Sequence, residues 1–255
     1  MLVVTNHQLE LIGYQRWEDE ILEEMMRFAP RLYEIRGETI FREFIREGYA
    51  RAEGHGFTNR GPVRFFIQTM ASLGHHFDED PQLTPIRVAI GDPQRPQKQR
   101  AQDAFAAVLD YFDRVPGSDA TRAIAALARL RDNNELWNEA PPPSRRLLVE
   151  SMLAHMHGMF PAKAEYAGDS VLEQLVDAAM EHAATHELDA MAGGRIIAAL
   201  MFALGWGITT DPLYPWVALM LEHREQTPRY DRIHHLAAKT RIYLDATLSY
   251  LEGGQ

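Results

Sequence analysis

The sequence predicts an all-α protein: two tandem copies of a roughly five-helix unit, residues 1–115 and 144–255, joined by a helical, Pro-rich linker over 116–143. Three observations carry that reading. Apolar residues recur at helical spacing, and no alternating strand pattern of useful length occurs. Pro and Gly punctuate the apolar stretches where helices begin and end. The chain also matches itself. Shifted by 131 positions, Pro30, Glu34, Gly37, Ala52, His55 and Arg64 meet Pro161, Glu165, Gly168, Ala183, His186 and Arg195. Met70, Leu73, Gly74 and Asp80-Pro81 meet Met201, Leu204, Gly205 and Asp211-Pro212. That is eleven identities in 52 ungapped positions, where ordinary amino-acid usage gives about three by chance. Apolar positions agree too: Phe41, Phe44 and Ile45 face Leu172, Leu175 and Val176, and Phe77 faces Ile208. Past the Asp-Pro pairs the register slips by one, so Tyr111 and Asp113 match Tyr243 and Asp245.

The first helix spans 8–28, with Leu11, Ile12, Leu22, Met25 and Met26 on its stripe, and stops at Ala29-Pro30. A second follows Gly37 through Ile40, Phe41, Phe44, Ile45 and Tyr49. A third starts near Gly61-Pro62, where Pro suits a first turn, and ends at Gly74. A fourth starts at Asp80-Pro81, Asp serving as N-cap and Pro fixing the first φ. A fifth covers 97–112. In the linker, Pro116-Gly117-Ser118-Asp119 makes a turn, Ser118 or Asp119 caps a helix over 120–137, and Pro141-Pro142-Pro143 is a stiff spacer. The second copy repeats the order at 145–159, 170–186, 191–204, 212–223 and 229–251. Ten or eleven helices are expected.

Composition narrows the function. The 255 residues include 26 Lys and Arg against 36 Asp and Glu, a formal charge of −10. The net charge is −4 over 1–115, −1 over 116–143 and −5 over 144–255. Such a balance speaks against a nucleic-acid binder, which needs a basic stripe. With 46% hydrophobic and 24% charged residues the chain is too apolar to be disordered. The absence of Cys excludes a disulfide framework and a cysteine nucleophile. The longest uncharged apolar stretch, 196–210, is 15 residues, short of the ~20 that cross a bilayer. No basic start followed by an apolar core marks a secretory signal. A soluble, cytoplasmic protein without a membrane partner is expected.

His182 and His186 have the four-residue spacing of two zinc ligands, but Ala183 stands where a helical protease motif has its Glu, and no third ligand is placed. His55 and His186 each sit at a helix end, where imidazole favours the dipole. His75 to Asp80 concentrates ligand types, yet a calcium loop begun at Asp78 has Leu83 where Gly is needed and Ala89 where Glu is needed. Asp19, Glu20, Glu23 and Glu24 read as a solvated helix face, and Glu10, Glu18 and Glu24 could do chemistry only if buried. His223-Arg224-Glu225 and Glu181-His182 are adjacent pairs, not the Glu-x-x-His of a dimetal bundle. No catalytic residue, metal or cofactor is therefore expected. The better lead is aromatic: Trp206, Tyr214 and Trp216 cluster in a Gly- and Pro-rich turn, and their first-copy counterparts lie near His75, His76 and Phe77. Loops display such anchors to partners.

Gly54-His55-Gly56-Phe57-Thr58, then Phe65 to Gly74, Phe77-Asp78 and Asp80-Pro81, together with Ala199 to Gly205 and Asp211-Pro212-Leu213-Tyr214-Pro215-Trp216, resemble a known pattern. They look like the small helical accessory proteins encoded beside type VI secretion spike and effector genes, in which a helix ending in Leu-Gly leads into a Phe-Asp, Asp-Pro, Pro-Trp turn. Phe160-Pro161 also fits, whereas the first copy has Ala29-Pro30, and Ile86 rather than Trp after Pro85. The resemblance implies no catalytic residues. It implies a non-catalytic binding protein, an adaptor, chaperone or immunity factor for a secreted effector, toxin or spike component. The alternative is a helical-bundle enzyme with a metal or carboxylate site.

Overall fold

The computed structural model describes residues 6–117, 119–222 and 229–253, with side chains over 15–117, 119–222 and 232–251. Among these residues every regular element is helical. The first half holds α1 Asn6–Phe28, α2 Pro30–Gly54, α3 Arg60–Leu73, a 3-10 turn Pro81–Leu83, α4 Thr84–Gly91 and α5 Gln97–Arg114. Between the halves lie α6 Thr121–Asp132 and α7 Asn134–Asn138. The second half holds α8 Arg145–Met159, α9 Pro161–Ala167, α10 Asp169–Thr185, α11 Ala190–Leu204, α12 Pro215–Glu222 and α13 Arg229–Gly253.

Among the described residues there are thirteen α-helices against the ten or eleven expected, for identifiable reasons. Pro30 and Pro161 end one helix and also open the next, because Pro at the first helical position gives up an N–H that has no intrahelical acceptor anyway. The chain then breaks at Gly37 (φ 77°, ψ 171°) inside α2 and at Gly168 (φ 81°, ψ 150°) after α9. The single helix expected over 120–137 divides at Asn133, whose side chain accepts Leu136 N–H and starts α7. Asp119 Oδ1 accepts Thr121 N–H ahead of α6, and Ser118 lies outside the described residues. Neither Asp-Pro pair starts an α-helix directly. Asp80 Oδ1 accepts Gln82 N–H and Asp211 Oδ1 accepts Leu213 N–H, closing short turns, and α4 and α12 begin only at Thr84 and Pro215.

Within the halves α1 and α3 pack on α2, α4 and α3 on α5, and α10 and α8 on α11, while α9 and α10 also touch the 3-10 turn of the first half. The segment expected as a linker is packed as well. α6 lies along α13 and touches α8 and α11, with Leu130 and Trp137 buried. Trp137 Nε1 donates to Leu130 O, so its indole is anchored as well as buried.

The halves meet at two corners. Gly74 (φ 105°, ψ 156°) and Gly205 (φ 119°, ψ 155°) end α3 and α11 in a conformation that side chains disfavour. A methyl on Gly74 would lie 3.1 Å from Leu204 O, and one on Gly205 would lie 3.0 Å from Leu73 O. Around this contact the Asp-Pro turns reach across. Asp211 Oδ2 accepts His75 N–H at 3.2 Å, and Gln82 Nε2, which donates to Asp80, also donates to Met201 O at 3.3 Å. His76 packs over Gly207. Asp211 thus satisfies main-chain donors of both halves, His75 and Leu213, while Asp80 is held by Gln82 of its own half.

Candidate functional site

The six aromatic and histidine residues expected to bind a partner are brought close together but not displayed together. Phe77 is 1% exposed and stacks on Phe66 at 4.8 Å; His75 is 6% exposed between Phe44 and His76. These two are core residues, because the Leu-Gly corners pack on each other instead of facing solvent. His76 and Trp206 are half-buried beside the same joint. Tyr214 and Trp216 are also half-buried and converge on Tyr243, edge-on at 5.6 Å and stacked at 5.7 Å respectively. Burial pushes the Tyr214 hydroxyl well above its ordinary value.

The His- and Asp-rich stretch of the first half forms a structural ion network. Arg51 grips both Asp78 oxygens at 2.7 and 2.8 Å and reaches Glu79, while His55 Nε2 sits 2.8 Å from Asp78. His75 Nε2 lies 2.6 Å from Glu47 Oε2 but off the line of a hydrogen bond. Burial, with Glu43 nearby, pushes the Glu47 carboxyl up. Burial and the neighbouring His76 and Arg51 bring His75 down to about 4, so its imidazole is neutral near pH 7. Glu18 is buried and ion-paired to Arg42 and Arg46; Glu24 pairs with Arg64. In the second half His182 Nδ1 lies 3.4 Å from Thr209 Oγ1. Among the described residues no three His, Asp or Glu side chains converge as a metal site. The Glu10 side chain and the run His223-Arg224-Glu225 lie outside the described residues.

One open feature among the described residues is a groove of about 510 Å³ between the first two turns of α2 and the face of α13. Its floor is Trp216, Tyr243 and Leu32; its walls carry exposed Ile35, Ile242 and Tyr250. Three cations, Arg31, Arg36 and Lys239, line it in a chain of net charge −10. Arg31 lies over the Tyr250 ring at 5.2 Å, and Arg36 Nε donates to Leu213 O at 2.7 Å, tying α2 to the second Asp-Pro turn. Trp216 is the one expected site residue that lines this groove.

No known protein family, curated protein or solved structure matches this chain. At the 131-residue sequence offset from the α2 wall, α9 meets α5 through aromatic side chains. Tyr166 stands there for Ile35, packs edge-on against Tyr111 at 5.2 Å and takes Arg114 over its ring. Lys163 stands for Leu32, fully buried with Nζ donating to Phe202 O. Burial pushes that ammonium down and the Asp80 carboxyl up, each partly offset by the other's charge. The sequence held a signal for the open groove that motif reading passed over. At the matching offsets, Ile35 and Arg36 replace Tyr166 and Ala167, and Lys239 and Ile242 replace Ala107 and Asp110.

Proposed function

We propose that the chain is a tandem duplication whose halves form one non-catalytic binding protein, and that it holds an acidic, apolar-bearing segment of a protein partner in the α2–α13 groove. The observation that carries this is the unequal fate of two matching places: one is filled by Tyr166 and Tyr111, the other is left open with an aromatic floor and a basic lining. An apolar groove edged by cations suits a segment that buries aromatic or aliphatic side chains and places carboxylates at the rim. The duplication is supported by backbone angles at the 131-residue offset. Ala29 and Phe160 share φ/ψ near −134°, 62° and −138°, 75°; His55 and His186 share −84°, 3° and −87°, 12°. The resemblance to type VI accessory proteins gives the partner class, a secreted effector, toxin or spike component, and the role, adaptor, chaperone or immunity factor.

The test is co-expression with the product of a neighbouring spike or effector gene, followed by size-exclusion and titration. A complex is expected. Ile242→Glu and Lys239→Glu, both at exposed positions, should weaken it at least about tenfold, or ~1.4 kcal/mol, with unchanged melting curves. A complex indifferent to both substitutions, or none at all, overturns the proposal.

A further inference from the structure

We infer that the outer face of α5 is a second docking site, and that its occupant is a partner's amphipathic helix with a narrow Ala/Leu stripe and an arginine in its last turn. The inference rests on the duplication proposed above but not on the α2–α13 groove. Its template is inside the molecule. In the second half α6 lies along α13, where Ala237, Leu244 and Leu248 are buried. The apolar side of α6 is made of small and medium residues, Ala123, Ala126, Leu127 and Leu130, and its end is pinned by charge. Arg131 reaches Asp245 at 3.6 Å, and Asp132 feels Arg241.

Moved back 132 positions, the covered stripe of α13 becomes Phe105 and Phe112 of α5 and Pro116 just beyond it, with Leu109 in place of Arg241 and Asp113 in place of Asp245. Among the described residues no α6 equivalent covers Phe105 or Leu109. Phe105 is 52% exposed where Ala237 is 6%, and Leu109 is 49% exposed. A groove of about 460 Å³ runs beside Phe105, walled by Phe65 and Pro62 of α3. The exposed Asp113 carboxylate makes no ion pair among the described residues, whereas its counterpart Asp245 meets an arginine. So the first half presents Phe105, Leu109 and the acid Asp113 to solvent at the positions that receive α6 in the second half, with Phe112 half-buried and Pro116 buried. Large Phe105 in place of Ala237 calls for small residues on the incoming helix, and Asp113 calls for a cation at its end.

The chain has no cysteine, so a single introduced one reports cleanly. The full chain carrying Leu109→Cys is mixed under mild oxidation with a synthetic peptide of residues 121–138 carrying Asp132→Cys. In the second half the corresponding residues, Arg241 and Asp132, lie on the packed helices α13 and α6, and Arg241 helps hold the Asp132 carboxyl down. Disulfide capture is expected at least tenfold faster than with a scrambled peptide. It should fall on Phe105→Glu, fall on Arg131→Glu in the peptide, and recover when Asp113→Arg is paired with Arg131→Glu. Equal capture of the scrambled peptide, or no recovery in the charge swap, overturns the inference. Preferential formation of chain–chain disulfides would also overturn it, by assigning the face to a second copy. Ile242→Glu, which probes the α2–α13 groove, should leave capture unchanged, so failure at one site is distinguishable from failure at the other.

Discussion

A methyl group at Gly74 or Gly205 would meet the main chain of the opposite half, and both positions have φ above +100°. Gly74→Ala and Gly205→Ala should each cost about 2–4 kcal/mol, combining backbone strain with displaced contacts. Gly37→Ala shares the positive φ but meets nothing within 4 Å, so about 1 kcal/mol is expected there. Urea unfolding of the three variants checks the ranking, and equal losses would mean that the corner contact adds nothing. Two residues at the same joint set opposing pH responses. Burial brings Asp211 up to about 6. An unfolded carboxyl ionises near 4, so its penalty is absent in acid and grows to about 2–3 kcal/mol as pH rises through about 6. His75 runs the other way. Its folded value of about 4 lies below the ~6.5 of an unfolded imidazole, so stability present at pH 7 is lost as pH falls from about 6.5 toward 4. In the native chain these effects partly cancel between pH 4 and 6. Asp211→Asn keeps an acceptor for Leu213 and His75 but removes the acid-side gain, so its melting temperature should drop more steeply between pH 6.5 and 4.5 than that of the native chain. Parallel profiles in a thermal-melt series would refute the assignment.

Among elements, those with a long apolar stripe were legible in sequence. The expected ends of the first helix at Phe28, the third at Leu73 and the one over 145–159 coincide with the observed ends, because Pro and Gly set them. The short helices opened by Pro30 and Pro161 were not legible, since a proline reads as a stop and only packing shows that it is also a start. The groove was illegible for a related reason. Its residues come from α2, α12 and α13, and no local pattern joins Ile35 to Ile242. Trp216 was found because a Trp in a Pro-rich turn stands out; His75 and Phe77 were misplaced on the surface because a loop that packs on another loop has the composition of one that does not. The closed counterpart supplies a test at this scale. Ile35→Tyr installs the residue found at position 166, and it should lay an aromatic ring against Tyr243 or Tyr250. Partner affinity should fall about tenfold or more in titration, while stability stays the same or rises by ~0.5–1 kcal/mol. Unchanged affinity would show that the partner does not use the α2 wall.

Across the whole molecule, the two halves are joined by the crossed glycine corners and by Asp211 and Gln82, which each reach the main chain of the opposite half. The segment 116–143 does not hold the halves apart, because α6 packs along α13 of the second half. The charge is spread in the same uneven way, acidic overall with cations gathered in one groove. The crossed corners also bear on how the chain is made. Asp80 is buried against the Trp206 backbone and near Lys163, groups that leave the ribosome long after it. At about 5–20 residues per second, an emerging first half holds its Asp80 carboxylate without those partners for several seconds at the least. During synthesis the first Leu-Gly corner is thus an uncovered apolar surface around an acid held only by Gln82 of its own half, until the second half emerges to close it.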